Sequence, residues 1–335
     1  MTPPRVSFVM PVRNEARYLP AAIRSITRQS VTSWEMVVID DGSTDDTTAI
    51  LADAAATDPR IRVVTNRGRG LVDALNQGIA LSTAPLIARM DGDDISHPLR
   101  LHHQLTFLDA HPEVGLVATS FRHFPRRHLR IGMLAYETWQ NSLVIHERIM
   151  NDRFVESPFV HPTVVMRRDL VEMVGGYRDR GWPEDYDLWL TMADAGVRFH
   201  SLPQVLFYWR DHPERSTRTM DEYAAAAFRR CKISHLKNGF LRGVKELSLI
   251  GAGKEGRAWQ RELAAVGIGV RSWVDLDPRK VGKILHGAPV RHALEIGGIP
   301  PPFLVTIGIR GARDEVRTWL RDVGLREGID VVCVT

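Results

Sequence analysis

Three carboxylates close the stretch LIARMDGDD, residues 86–94: Asp91, Asp93 and Asp94. So many like charges in so few residues repel one another unless a cation or solvent relieves them. At an extended strand end, side chains two residues apart fall on one side. Asp91 and Asp93 can therefore address one ion, and Gly92 leaves room for a group to approach between them. Hard oxygen ligands in small number suit Mg²⁺ or Mn²⁺, with substrate phosphates and water completing the shell. The plain alternative is an acidic turn after a strand, which Asp-Gly commonly makes. A second acidic run, Glu184, Asp185 and Asp187, opens a helix whose Leu188, Met192 and Ala195 recur at helical spacing. Without further context its acids offset the helix macrodipole.

These residues need a frame. Val6–Met10, Trp34–Ile39, Ile61–Val64 and Leu86–Met90 read as buried strands, with Pro11 ending the first. Helices are predicted between them: one near Ala16 capped by Asn14, one over Thr44–Ala56 and one over Gly70–Leu81. Strand alternating with helix implies an α/β fold, a doubly wound, mostly parallel sheet. Ligands of such sheets sit beyond the carboxyl ends of the strands. Arg13, Asp41 and Asp91 all fall at those ends. Further on, Ile95–Ala110 reads as a helix, Val114–Ala118 as a strand and Tyr136–Met150 as a helix. Val160–Arg167 and Val205–Arg210 read as strands, the former with His161 as a structural residue. The basic run Phe121–Arg130 is either a solvated loop or a contact for an anionic acceptor or lipid headgroup.

VSFVMPVRNEARYLPAAIRSI, VVIDDGSTDDT, GRGLVDALNQG and MDGDD, in that order and spacing, resemble glycosyltransferase family 2 over about residues 5–220. The resemblance implies a GT-A fold, a nucleotide-sugar donor, a divalent metal (Mn²⁺ or Mg²⁺) and inversion at the anomeric centre. Asp41 would accept from the nucleobase, uracil N3 in a UDP donor. Asp91 and Asp93 would form the D-x-D pair on metal and diphosphate, with Asp94 shaping the turn. Pro11, Arg13, Glu15, Asn76 and Gly92 would belong to the donor side. Many relatives place an aromatic where Arg13 stands, so Arg13 either stacks on the base or meets a phosphate. Glu184-Asp185 matches the family's E-D motif, which makes Asp185 the expected base and Glu184 an orienting neighbour. Arg210 and His212 match a segment that closes over the donor, Arg210 on the diphosphate and His212 on the metal.

A helix over Met220–Leu236 and a linker over 237–243 separate this region, 1–236, from a second α/β pattern over 244–335. There Leu247–Ile250 runs into Gly251, Gly253 and Gly256, and Val270–Val274 runs into Asp275. Phe303–Ile307, a helix over Asp314–Leu320 and a strand over Val331–Val334 follow. This is the dinucleotide fingerprint, read as a smaller Rossmann-like domain. It either holds a second nucleotide or uses its glycines for a tight turn.

The chain has 335 residues with 44% hydrophobic and 25% charged content, ordinary for a globular protein. Its two cysteines argue against a disulfide framework and suit a cytoplasmic protein. No apolar run approaches the ~20 residues of a membrane span, and the first residues do not read as a signal peptide. A net charge of +4 suits anionic ligands and is compatible with peripheral contact at a membrane's inner face. The expected partners are a nucleotide-sugar donor and a glycan or lipid-linked acceptor, with no nucleic acid and no oligomeric state specified. The rivals are a nucleotidyltransferase, which would need a glycine-rich basic loop where residues 11–20 hold no glycine, and a nucleotide-sugar-sensing protein.

Overall fold

A computed structural model describes residues 3–335 apart from 214, 216, 217, 219 and 310. The chain divides into two units. One comprises Met1–Ile149, Pro158–Arg180 and Glu184–Thr219; the other comprises Met150–Ser157, Gly181–Pro183 and Met220–Thr335.

The first unit is built on eight strands: β1 Val6–Val12, β2 Trp34–Asp40, β3 Ile61–Thr65, β4 Leu86–Arg89, β5 Ile95–Ser96, β6 Val114–Phe124, β7 Val165–Arg167 and β8 Arg198–Arg210. Their order across the sheet is β3-β2-β1-β4-β7-β6-β8-β5. Strands β3 to β4 are parallel, β7 runs against both its neighbours, and β5 runs against β8. Every residue of β1 is buried, as expected for a strand covered on both faces. Helices α1 Leu19–Thr27, α2 Thr47–Thr57, α3 Gly70–Leu81 and α4 Arg100–Ala110 connect or cover these strands, followed by α5 Ile131–Asn141, α6 His146–Asp152, α7 Arg168–Met173 and α8 Glu184–Asp194. Helix α3 packs closely on β1: a Cβ on Gly78 would meet Val9 Cγ1 at 2.5 Å.

Several elements differ from the sequence expectation. Strand β1 continues through Pro11, opposite Ile39, to Val12, opposite Asp40. Asn14 caps no helix; it takes a left-handed backbone (φ 56°), and its side-chain oxygen accepts from Thr44 N–H at 2.7 Å. Helix α1 starts later, with Pro20 in its first turn. Ile95–Ser96 is not helical but pairs with Phe207 and Tyr208. Strand β6 runs on to Phe124, which places Phe121 and His123 in the interior rather than in a loop. The helix expected over 136–150 is two helices, and His161–Thr163 form a 3₁₀ turn before β7.

The second unit carries helix α9 Ala225–Asn238, so that helix groups with residues beyond 244. Its sheet has six strands: β9 Glu246–Ile250, β10 Gly269–Asp275, β11 Ile284–Leu285, β12 Ala288–His292, β13 Phe303–Val305 and β14 Val331–Cys333. The order is β11-β12-β10-β9-β13-β14. Without the short antiparallel β11, this is the strand order of the first five strands of a Rossmann fold. Helices α10 Lys254–Ala265 and α11 Ala312–Asp322 belong to the same unit.

Candidate active site

The carboxyl ends of β1, β2 and β4 lie side by side, with Val12 opposite Asp40 and Val9 opposite Arg89. The turn after β4 brings carboxylate oxygens of Asp91, Asp93 and Asp94 within 4.8 Å of one another. Glu15, from the loop after β1, joins them. Burial, then the charges of Asp93 and Asp91, push its carboxyl up to about 8. Four acids packed this way cannot all ionise cheaply, so the donor set fits a hard divalent cation. Asp93 Oδ2 lies 2.8 Å from His212 Nε2, and His212 packs on Tyr18. Burial raises Asp93, but the His212 hydrogen bond and the Arg215 charge outweigh it and hold Asp93 below the usual range. Asp94 is fully buried and takes the backbone N–H of Arg210 at 2.7 Å. Its burial, with Asp93 and Asp91 nearby, pushes it well above the usual carboxylate range. Its bond to Arg210 ties the turn to the end of β8.

The space at Gly92 is filled by the protein itself. A Cβ there would lie 3.0 Å from Val12 Cγ1 and 3.2 Å from Glu15 Cγ, so glycine lets the β1 end and Glu15 close onto the turn. Arg210 is equally committed: its Nε donates to the Asp93 carbonyl at 2.6 Å, and its guanidinium sits over the Tyr18 and Phe124 rings.

At the end of β2, the Asp41 carboxylate accepts the Asn66 amide at 2.6 Å and the Gly70 N–H at 3.1 Å. Arg13 stands beside it, 3.9 Å from Nη1 to Oδ2, with 66% of its side chain exposed. Pro11 is buried in β1 beneath them. Asn76 does not point at this edge with a spare amide. It donates to the Tyr177 carbonyl and accepts the Tyr177 N–H, both at 2.9 Å, and so ties α3 to the segment before α8.

Arg89 belongs to this edge and was not among the residues singled out from the sequence. Arg89 is buried, and its Nη2 lies 2.5 Å from Asp91 Oδ1. Burial opposes its charge, but Asp91, Tyr177 and Glu184 more than offset that. The guanidinium is thus paired with the carboxylate turn, and the Glu184 charge at the start of α8 favours its ionised form. The available signal was a lone basic residue in the apolar run LIAR, since a buried strand tolerates arginine only with a partner. Glu184 is buried, with Oε1 3.7 Å from His161 Nδ1; His161 Nε2 in turn lies 2.7 Å from the Tyr177 hydroxyl. Burial, then Arg89, hold His161 well below its ordinary value, so it is neutral at pH 7. Asp185 is more open than Glu184 and accepts the Tyr186 N–H at 2.7 Å. Burial and the Glu184 charge push it well above the usual carboxylate range. Asp187 is paired with Arg178, Nη2 to Oδ2 at 3.0 Å.

The profile of Glycosyl transferase family 2 matches residues 7–175, half of the chain, including Glu15, Asp41, Asp91 and Asp93 but not the α8 acids, Arg210 or His212. The chain belongs to that family. EpsE of Bacillus subtilis is 31% identical over 226 residues, covering 66% of this chain and 78% of that one. The UDP-Gal:alpha-D-GlcNAc-diphosphoundecaprenol beta-1,3-galactosyltransferase of Escherichia coli is 27% identical, covering 64% and 77%. Two solved structures share the fold. TarS 1-349 of S. aureus, in complex with UDP-GlcNAc, has a TM-score of 0.55 at 16% identity, covering 77% of this chain and 71% of that one. The mannosyltransferase PcManGT of Pyrobaculum calidifontis, in complex with GDP-Man and Mn²⁺, has a TM-score of 0.52 at 23% identity, covering 80% and 70%. This family 2 glycosyltransferase has the GT-A architecture expected from the sequence. Among the described residues no helix is long and apolar enough to cross a membrane.

Apart from Met150–Ser157, the second unit lies beyond the matched profile. Its Gly251–Gly256 loop leads from β9 into α10, as the fingerprint requires, and Gly256 is needed because a Cβ would collide with the Gly251 carbonyl. Gly253 stands at the N-cap of α10. Asp275 ends β10, but its carboxylate already accepts the Ala252 N–H at 2.8 Å and Lys280 Nζ at 3.0 Å. The geometry therefore uses these residues to fix the loop.

Proposed function

We propose that this glycosyltransferase moves a sugar from a UDP-linked donor to a hydroxyl of a glycan or lipid-linked acceptor, with metal assistance and inversion at the anomeric carbon. The observation that carries the reading is the carboxylate turn, where oxygens of Asp91, Asp93 and Asp94 lie within 4.8 Å of one another at the carboxyl ends of the parallel strands. Asp91 and Asp93 would hold Mn²⁺ or Mg²⁺, with His212 fixing the Asp93 rotamer. Bound there, the cation would neutralise charge growing on the departing diphosphate. Asp41 accepts from the nucleobase; its carboxylate has acceptor capacity beyond its bonds to Asn66 and Gly70. Arg13, exposed at the mouth, covers the base or a phosphate. Asp185 takes the proton from the acceptor hydroxyl as that oxygen attacks the anomeric carbon from the face opposite the nucleotide. Its raised pKa brings it closer to the operating pH, as a general base requires. Glu184, fixed beside neutral His161, orients the acceptor and keeps a negative charge beside the base.

A thermal-shift screen of nucleotide sugars with and without Mn²⁺ tests the donor assignment, because a ligand that binds only the folded state raises its melting temperature. UDP-sugars should raise it in the presence of Mn²⁺ only. No shift with any UDP-sugar beyond that of Mn²⁺ alone, or an equal shift in chelator, contradicts the reading.

A further inference from the structure

The basic run that the sequence left unresolved has a destination. In the first unit a cavity of about 580 Å³ opens where β6 and β8 end, walled by Arg130, Arg215, Arg218, Tyr136, Trp209 and Asp211 among others. That volume lies within the roughly 300–1,000 Å³ of small-molecule sites. Strands β6 and β8 are parallel to each other, and β6 and β4 both run against β7, so the cavity opens on the same sheet edge as the carboxylates. It adjoins them directly. Trp209 and Asp211 flank Arg210, which bonds both Asp93 and Asp94.

Its lining is opposite in charge to the carboxylate turn: three guanidiniums and one carboxylate, with Arg215 also offsetting the Asp93 charge. Asp211 does not cancel them so much as aim them: it is anchored by its own N–H to the Phe124 carbonyl at 2.8 Å and holds Arg218 Nη2 at 2.5 Å. Arg215 lies 4.0 Å over the Trp209 ring, with Nη1 donating to the Arg210 carbonyl. Arg130, at the start of α5, is exposed and has no carboxylate partner among the described residues. Stacked or braced guanidiniums keep their planar donor forks oriented, which is the arrangement that recognises phosphate oxygens. Tyr136 and Trp209 supply flat apolar faces beside them, suited to a sugar ring.

We infer that this cavity binds the acceptor as a phosphorylated sugar, with the Arg130, Arg215 and Arg218 guanidiniums on the phosphate and the Tyr136 and Trp209 rings against the sugar. The assignment to the acceptor rests on the proposed function, which places the donor at the carboxylate turn. A phosphate here and a metal-bound diphosphate there would occupy neighbouring sites of opposite charge, so the two substrates cannot exchange places.

The test uses the full chain in EDTA, so that the carboxylate turn holds no metal and repels anions. Glucose 1-phosphate, methyl α-glucoside and inorganic pyrophosphate are titrated calorimetrically. Glucose 1-phosphate should bind at least about tenfold more tightly than the methyl glycoside, as charge-assisted hydrogen bonds to the phosphate require. Arg130→Gln and Arg218→Gln should each weaken glucose 1-phosphate and pyrophosphate several-fold and flatten the salt dependence. Arg130→Lys, which keeps the charge at an exposed position, should recover part of the loss. Equal binding of phosphate and methyl glycoside, or variants that bind as the wild type does, overturns the inference. So does binding to phosphatidylglycerol vesicles, lost in the same variants, without any sugar-phosphate binding. Mn²⁺-dependent UDP binding, titrated separately, reports the donor reading alone. A protein that takes glucose 1-phosphate in EDTA but no UDP with Mn²⁺ fails that reading and keeps the anion site.

Discussion

Replacing Arg89 by methionine keeps a long apolar side chain in the sheet and removes only the guanidinium. Asp91 then faces Asp93, Asp94 and Glu15 with its 2.5 Å counter-charge gone. Breaking a buried pair by removing one partner costs about 3–5 kcal/mol. The Asp91 side chain is 29% exposed and can recruit water, so the lower end, about 3 kcal/mol, applies here. For a unit of this size each kcal/mol shifts the melting temperature by roughly 2–4 °C, so the first transition should fall by roughly 6–12 °C. Calorimetry in EDTA measures it. Adding Mn²⁺ with UDP should narrow the gap, because a cation at Asp91 and Asp93 takes over part of the lost counter-charge. Arg89→Lys should fall between, since it keeps the charge without the planar fork. Equal melting of wild type and Arg89→Met in EDTA, or a gap that widens with Mn²⁺, refutes the bridge as described.

Three other outcomes follow from named contacts. Asp185→Asn should slow transfer by about 10²–10⁴-fold with donor affinity unchanged; if it keeps the wild-type rate while Glu184→Gln loses it, the base is Glu184. Gly256→Ala should destabilise the second unit by about 1–3 kcal/mol in denaturant titrations, because the new Cβ meets the Gly251 carbonyl and backbone cannot rotate away; a gain, the usual result for glycine to alanine in a helix, would deny the close approach. Glu35 is held below the usual glutamate range: burial raises it, but bonds from Ser7 and Thr83 outweigh that. A depressed folded pKa contributes stability above the unfolded value and loses it as pH falls, so Glu35→Gln should be less stable than wild type at pH 7, with the gap closing below about pH 4. A gap that grows on acidification would contradict the assignment.

What the sequence made legible was local. Strands β1 to β4 are short apolar runs bounded by turn residues, and Asp41, Asp91 and Asp93 sit directly at their ends, so periodicity and spacing were enough. What it hid depends on pairing between distant segments. Ile95–Ser96 looks helical beside α4 but is claimed by Phe207 and Tyr208 across the sheet. Arg122, Arg126 and Arg130 read as one charge run; the strand pleat turns Arg122 outward, Glu137 takes Arg126, and only Arg130 reaches the cavity. His161 lies among apolar neighbours in sequence, and its pairing exists only because α8 delivers Glu184 to it. Asn76 ties α3 to the Tyr177 backbone and Arg210 Nε bonds the Asp93 carbonyl, contacts that no local sequence pattern announces.

The central claim is that Asp91 and Asp93 bind the nucleotide diphosphate through a divalent cation. Titrating UDP into the wild type with Mn²⁺, into the wild type with EDTA, and into Asp93→Ala with Mn²⁺ tests it most directly. Binding in the first case only, with Asp93→Ala still folded by circular dichroism, is the expected result. UDP binding that survives both the chelator and the loss of the Asp93 carboxylate would contradict the account.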